Sequence, residues 1–258
     1  MDEIVLNGYA TEDWVTEQGY LTGVALSGYA TESWVNAQPF ADVGDLFDYV
    51  SVDTDGDTIT FSGANVYIQS GSGATDDEGT LTGLGNLIIG YAGAADFGPH
   101  ERTGSHNLVV GDEHDWTGYG GVVFGYYNAI SGDAAVVLSG RNNAARGDYA
   151  AVSGGESNTA SGYAATVSGG SFNTASGAGA AIAGGATNTA SGTSATVSGG
   201  SDNLASGGTS AVSGGASNTA SGTSATVSGG GFNQATASGA TVSGASYRTA
   251  SSSFAHTP

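Results

Sequence analysis

The sequence predicts an all-β fold, a parallel β-roll or β-solenoid of about 15-residue coils, and three observations lead there. An asparagine recurs every fifteen residues eight times in succession, at Asn128, Asn143, Asn158, Asn173, Asn188, Asn203, Asn218 and Asn233. Each stands in a near-copy of N-T-A-S-G-x-x-A-T-V-S-G-G-x-x, and self-similarity at a short fixed period marks a repeat protein in which each unit packs on its neighbours. Fifteen residues are too few for a pair of helices and too many for one strand, but they suit two short strands joined by tight glycine turns.

Strand alternation then assigns the faces of a coil. If Val167 points inward so does Ala165, while Thr166 and Ser168 point outward, and Ala160 points inward from the second strand. Gly162, Gly169 and Gly170 fall at corners, where positive φ is expected. The asparagine holds one fixed corner, where it tolerates the left-handed conformation and its side-chain amide can bond the copies above and below. A coil with one valine and two alanines inside has little apolar bulk to offset the ordering of fifteen residues. An intertwined homotrimer is therefore expected.

Residues 1–45 carry a different repeat. G-Y-A-T-E-D-W-V at 8–15 returns as G-Y-A-T-E-S-W-V at 28–35. Thr11 and Thr31 are candidate N-caps with acids in the first turn, which predicts short N-terminal helices ending near Gly19 and Pro39. Tyr9, Trp14, Tyr29 and Trp34 would serve assembly or attachment.

Residues 46–83 read as a connector of short strands, Y-V-S-V-D, T-I-T-F-S and N-V-Y-I-Q, each alternating at period two. Asp53, Asp55 and Asp57 between the first two could offer oxygen ligands to calcium, or simply form a hairpin turn. They lack the distal glutamate of an EF-hand loop, and no other cofactor is expected. The shaft spans 84–246, with irregular first coils over 84–127 and regular repeats over 128–246. Its strands L-I-I-G, L-V-V-G, V-V-F-G and V-L-S-G begin at Leu87, Leu108, Val122 and Val137, with bulkier residues that suit a well-filled first rung. Residues 96–102 form a charged excursion near His100, His106 and His114, either a polar surface loop or a metal site. Residues 247–258 close the far end, and Tyr247, Arg248, Phe254 and His256 are candidate receptor contacts at a tip.

The strings S-G-x-x-A-T-V-S-G-G and N-T-A-S-G, as in 158–170 and 188–200, resemble the head repeats of YadA-like trimeric adhesins. The resemblance covers about 84–246 and implies a left-handed parallel β-roll wound as a tight trimer that attaches to surfaces. Two departures are the slightly longer period and the expectation that no C-terminal membrane anchor follows. G-Y-A-T-E-x-W-V is similar to segments of phage tail-fibre and tail-collar proteins.

Composition narrows the function. The formal net charge is −20, there is no lysine, and 23 of the 24 acids lie at or before Glu156, which argues against nucleic acid as a partner. No apolar run approaches the ~18 residues of a membrane span, so no membrane insertion is expected. The absence of an N-terminal leader pattern suits a virion part or a chain whose leader was removed. No nucleophile elbow follows an apolar strand, and the shaft has almost no acids, so no enzyme is expected. The leading expectation is a structural fibre or adhesin at a cell surface, virion or extracellular site, binding a glycan or protein receptor. End-to-end self-assembly into a filament is the alternative, with ice binding a minor one. Against ice binding, the outward site before each valine reads Ala151, Thr166, Ala181, Thr196, Ala211, Thr226.

Overall fold

The structure, a computed structural model, describes residues 49–91 and 99–258. The expected N-terminal helices, with Tyr9, Trp14, Tyr29 and Trp34, lie outside the described residues, as do Asp96 to Gly98 of the charged excursion. The chain divides into two compact units, Met1–Tyr67 and Ile68–Pro258.

In the first unit, β1 (Val50–Asp53) and β2 (Thr58–Phe61) form an antiparallel hairpin with Val50 opposite Phe61 and Asp53 opposite Thr58. The third expected strand, N-V-Y-I-Q at 65–69, is not a strand. Val66 and Tyr67 are exposed. Without a neighbouring strand, an alternating pattern has nothing to pair with and no face to bury.

The second unit is a parallel β-solenoid. It opens with β3 (Leu87–Ile89), β4 (Leu108–Asp112), β5 (Asp115–Trp116) and β6 (Val122–Tyr126). β3, β4 and β6 start a sheet of twelve strands, and β5 starts a second sheet of ten. From Val136 onward every strand is two residues long, such as Thr166–Val167 in the first sheet and Thr174–Ala175 in the second. Each pairs with the strand one coil later: Thr166 with Ala181, Thr174 with Thr189. A third ladder of single bridges runs from Tyr126 through Arg141, Glu156 and Ser171 to Ser246.

One inserted residue explains the change from long strands to short ones. β4 and β6 pair along five residues without interruption, Leu108 with Val122 through Asp112 with Tyr126. In the next coil Val123 pairs with Val137, but Tyr126 bridges Arg141. Two residues therefore face three, Leu138 to Gly140, and the ladder splits into a two-residue strand and a separate bridge. The strand expected to start at Val137 starts at Val136, opposite Val122.

The interior follows strand parity. Ala160, Ala165 and Val167 are buried, and the same positions are buried in coil after coil. Bulk is exchanged across the core of the first coils. Trp116 and Ile130 are buried from the second sheet where later coils have alanine, and a Cβ on the facing Gly121 would strike Ile130 Cδ1. The chain's own side chains close each coil, so the interior does not require a partner to cover it.

The corners differ from expectation. Of the three repeat glycines, only Gly170 has positive φ, at 86°. Gly162 has ordinary φ, but a Cβ there would strike the carbonyl of Gly177; beside Gly169 there is open space. Nor does the asparagine adopt the left-handed conformation. The residue before it does: Phe172 at φ 57° and Ser157 at 57°, joined at another corner by Ala164 at 51°. Backbone bonds hold these residues in place, Phe172 N donating to Glu156 O at 3.0 Å and Ala164 N to Asp148 O at 2.8 Å. The conformation therefore does not depend on which side chain occupies the site.

Candidate functional site

The asparagines form a buried ladder along one corner. Asn173 is fully buried, and its Nδ2 donates to Gly169 O at 3.0 Å, Gly185 O at 2.9 Å and Asn158 Oδ1 at 3.1 Å. Its Oδ1 accepts from the backbone N of Asn188 at 3.0 Å. The backbone N to Oδ1 link runs from Asn128 through Asn233, the amide-to-amide bond is made by Asn158, Asn173, Asn188 and Asn203, and Arg248 takes the next position, donating its backbone N to Asn233 Oδ1 at 3.0 Å. Each amide thus satisfies backbone groups of its own coil and of the coil after it, which a buried polar side chain must do to avoid a net cost.

His114 heads this ladder. It is buried, its Nδ1 accepts from Asn128 N at 3.1 Å, and its Nε2 lies 3.2 Å from Val110 O. The imidazole so takes the two roles of an asparagine amide, with the proton on Nε2. Burial pushes its pKa down, opposed by hydrogen bonds to Val110 and neighbouring backbone and by the nearby Asp112 charge. With the folded pKa below the unfolded one, the unfolded chain binds more protons as pH falls through about 6.5. Stability is therefore expected to fall on acidification below that pH, because protonated Nδ1 cannot accept from Asn128. Thermal melts at neutral and mildly acidic pH check this. His114→Asn should lose part of the acid sensitivity while keeping the fold; an unchanged pH profile would count against the assignment.

A polar cap covers the first coil. Asp77, buried and at φ 50°, accepts from Ser105 Oγ at 2.5 Å, Ser70 Oγ at 2.5 Å, Ser72 Oγ at 2.8 Å and Thr82 Oγ1 at 2.7 Å. These donors, Ser105 first, hold its carboxyl far below the usual carboxylate range. A second asparagine pair lies just before the first-sheet strands, Asn107 N donating to Asn86 Oδ1 at 2.8 Å. His106 receives Ser70 N on Nε2 at 3.1 Å, its Nδ1 2.9 Å from Thr75 O.

The three histidines therefore do not converge, and the described residues contain no group of three or more His, Asp or Glu side chains placed to hold a metal ion. His100 instead sits between carboxylates, with Nε2 2.9 Å from Glu113 Oε2 and Nδ1 2.9 Å from Asp115 Oδ1. Glu113 is buried, and Asp115 Oδ1 also accepts from Glu101 N at 2.9 Å. Glu113 and Asp115 line a cleft of about 320 Å³ with Tyr127, Asn142 and Arg146. A second cavity of about 400 Å³, lined by Tyr126, Tyr127, Arg141, Asn142 and Glu156, adjoins it. Arg141 Nη2 donates to Glu156 Oε1 at 2.6 Å, and Asn142 Nδ2 to Ser157 Oγ at 2.9 Å.

The other expected site residues are dispersed. Asp53 Oδ1 accepts from Asp55 N at 3.0 Å and Gly56 N at 3.1 Å, the geometry of a hairpin turn, and Asp57 has φ 51°. At the far end Tyr247 stacks on Phe232 with centroids 5.0 Å apart and planes at 2°. Phe254 lies over Gly239, and His256 Nε2 is 3.4 Å from Ser243 Oγ. On the second sheet an outward row runs Thr159, Thr174, Thr189, Leu204, Thr219, Gln234, Thr249. This row has more threonine than the first-sheet row, but Leu204 and Gln234 interrupt it. Among the described residues no helix is long and apolar enough to cross a membrane. In comparison with known proteins, no family model matches the chain and no curated sequence is significantly similar to it.

Proposed function

We propose that this chain is a non-enzymatic structural fibre of the adhesin or tail-fibre type. In this reading a stiff β-solenoid spacer, assembled as a homotrimer outside the cell or on a virion, attaches a particle or cell to a surface. The observation that carries it is the unbroken 15-residue register of both sheets from Val136 to His256, locked by the buried asparagine ladder. A strand rung adds ~4.8 Å of rise, so coil number sets the length. Outward positions of the regular coils are mostly serine, threonine, alanine and glycine, which suits a scaffold. Partner chains would add burial on the outer sheet faces, since each coil already closes its own interior.

Excision of residues 174–188 tests the reading, because it restores the N-T-A-S junction in register. The shortened chain is expected to fold, to melt close to the parent and to lose ~5 Å of rod length per coil removed, measured by small-angle scattering on a one-, two- and three-coil deletion series. Light scattering should give three times the chain mass. A deletion series of constant length would refute the spacer, and a monomeric mass would refute the trimer.

A further inference from the structure

We propose that the groove on the first coils binds a neutral oligosaccharide; this rests on the attachment reading and names the class of receptor. The two cavities share Tyr127 and Asn142 in their linings, so one extended ligand occupying both would pass these two side chains. The larger of the two is ~400 Å³, within the ~300–1,000 Å³ of small-molecule sites.

His100 does the positioning. It engages one oxygen of each carboxylate, which leaves Glu113 Oε1 and Asp115 Oδ2 without a hydrogen bond among the described residues. Two fixed acceptor oxygens suit the hydroxyl donors of a sugar, and Arg146 supplies donors in the same cleft. Asn142 gives its Nδ2 to Ser157, so its Oδ1 is a further acceptor. Tyr126, exposed and with its ring centroid 6.4 Å from that of Tyr127, offers a ring face to the apolar face of a pyranose.

Other ligand classes fit less well. Arg141 is engaged by Glu156, so a phosphate would meet Arg146 beside two carboxylates. A peptide seeking a free strand edge meets occupied backbone, because Ala129–Ile130 is paired on both sides and Trp116 of the end strand β5 donates its N to Glu101 O and accepts from Gly104 N on its outer side. A cation would find the two carboxylates already shared by one imidazole.

The test is a glycan array carrying neutral, sialylated and sulfated glycans, probed with the labelled full chain and followed by calorimetry on the hits. Binding is expected on neutral glycans, weakened at least tenfold by Tyr127→Ala, by Asn142→Ala and by Arg146→Ala. Glu113→Gln should weaken it too, but the exposed Asn142 and Arg146 positions keep the test valid if that buried change disturbs folding. No signal on neutral glycans, signal only on acidic ones, or binding indifferent to these substitutions overturns the proposal. So does calcium uptake by the full chain that Asp115→Asn abolishes. The 174–188 deletion leaves the groove residues untouched, so a failure of the spacer reading shows in rod length and a failure of the groove shows in glycan binding.

Discussion

Gly170→Ala is expected to unfold the coils around it, while Gly169→Ala at the adjacent position leaves the melting temperature nearly unchanged. Gly170 has φ 86°, and a Cβ there would lie inside the carbonyl of Gly185 and against Asn173 Nδ2. That carbonyl is also the acceptor for Asn173 Nδ2 and for Ser171 N, each at 2.9 Å. Moving it out of the way therefore breaks a rung and loosens the ladder together. Ala245 occupies the same corner in the last described coil at φ 61°, so positive φ alone is tolerable for alanine, at about 1–2 kcal/mol. The stacked carbonyl is what forbids a side chain elsewhere, and the combined cost is about 3–5 kcal/mol. Gly169 has neither feature, with nothing within 4 Å of a built Cβ. Urea denaturation followed by circular dichroism decides, and equal midpoints for the two variants would show that this corner is not packed backbone against backbone.

That pair of glycines also marks how far the sequence could be read. The period and the inward set, Ala160, Ala165 and Val167, were legible because strand parity has only two answers and apolar residues select one. Three glycines that look alike in the repeat play three different parts, since letters report the missing Cβ but not what would meet it. The left-handed corners were hidden for a related reason. Tyr127, Asn142, Ser157, Phe172 and Thr187 share the conformation and no side-chain chemistry. V-V-F-G and V-L-S-G share the corner glycine but not the strand start, which lies one residue earlier at Val136, because the inserted residue is absorbed between strand and corner.

The cleft was not found from the sequence, although the signal for it was present. Tyr127, Asn142 and Ser157 are fifteen apart and must stack once the period is accepted. His100 could not be placed in this way, because it lies outside the regular repeat and reaches the first coil through contacts with no period. In the sequence the acidic bias before Glu156 is only a charge distribution. The structure resolves part of it into individual tasks: Asp77 is the hub of the cap, and Glu113 and Asp115 hold His100.

Asn173→Leu should cost about 3–5 kcal/mol, and Asn173→Asp more at neutral pH. Leucine keeps the branched four-atom outline, with more bulk, but removes the donor to Gly169 O and Gly185 O and the acceptor for Asn188 N. Each buried group left without a partner costs about 1–3 kcal/mol. Aspartate keeps an acceptor but turns an oxygen toward the two glycine carbonyls and buries a charge with no cation nearby. Burial and repulsion raise the folded pKa of that new carboxyl above the unfolded value near 3.9. The folded chain then binds more protons, so the Asp variant should gain stability relative to wild type as pH falls toward 4, a trend the Leu variant lacks. Melting curves of the three proteins from pH 7 to pH 4 separate these outcomes. If both variants melt with wild type, the amides are passengers in coils held by strand pairing alone; if only the Asp variant recovers in acid, the donors of the ladder hold the corner.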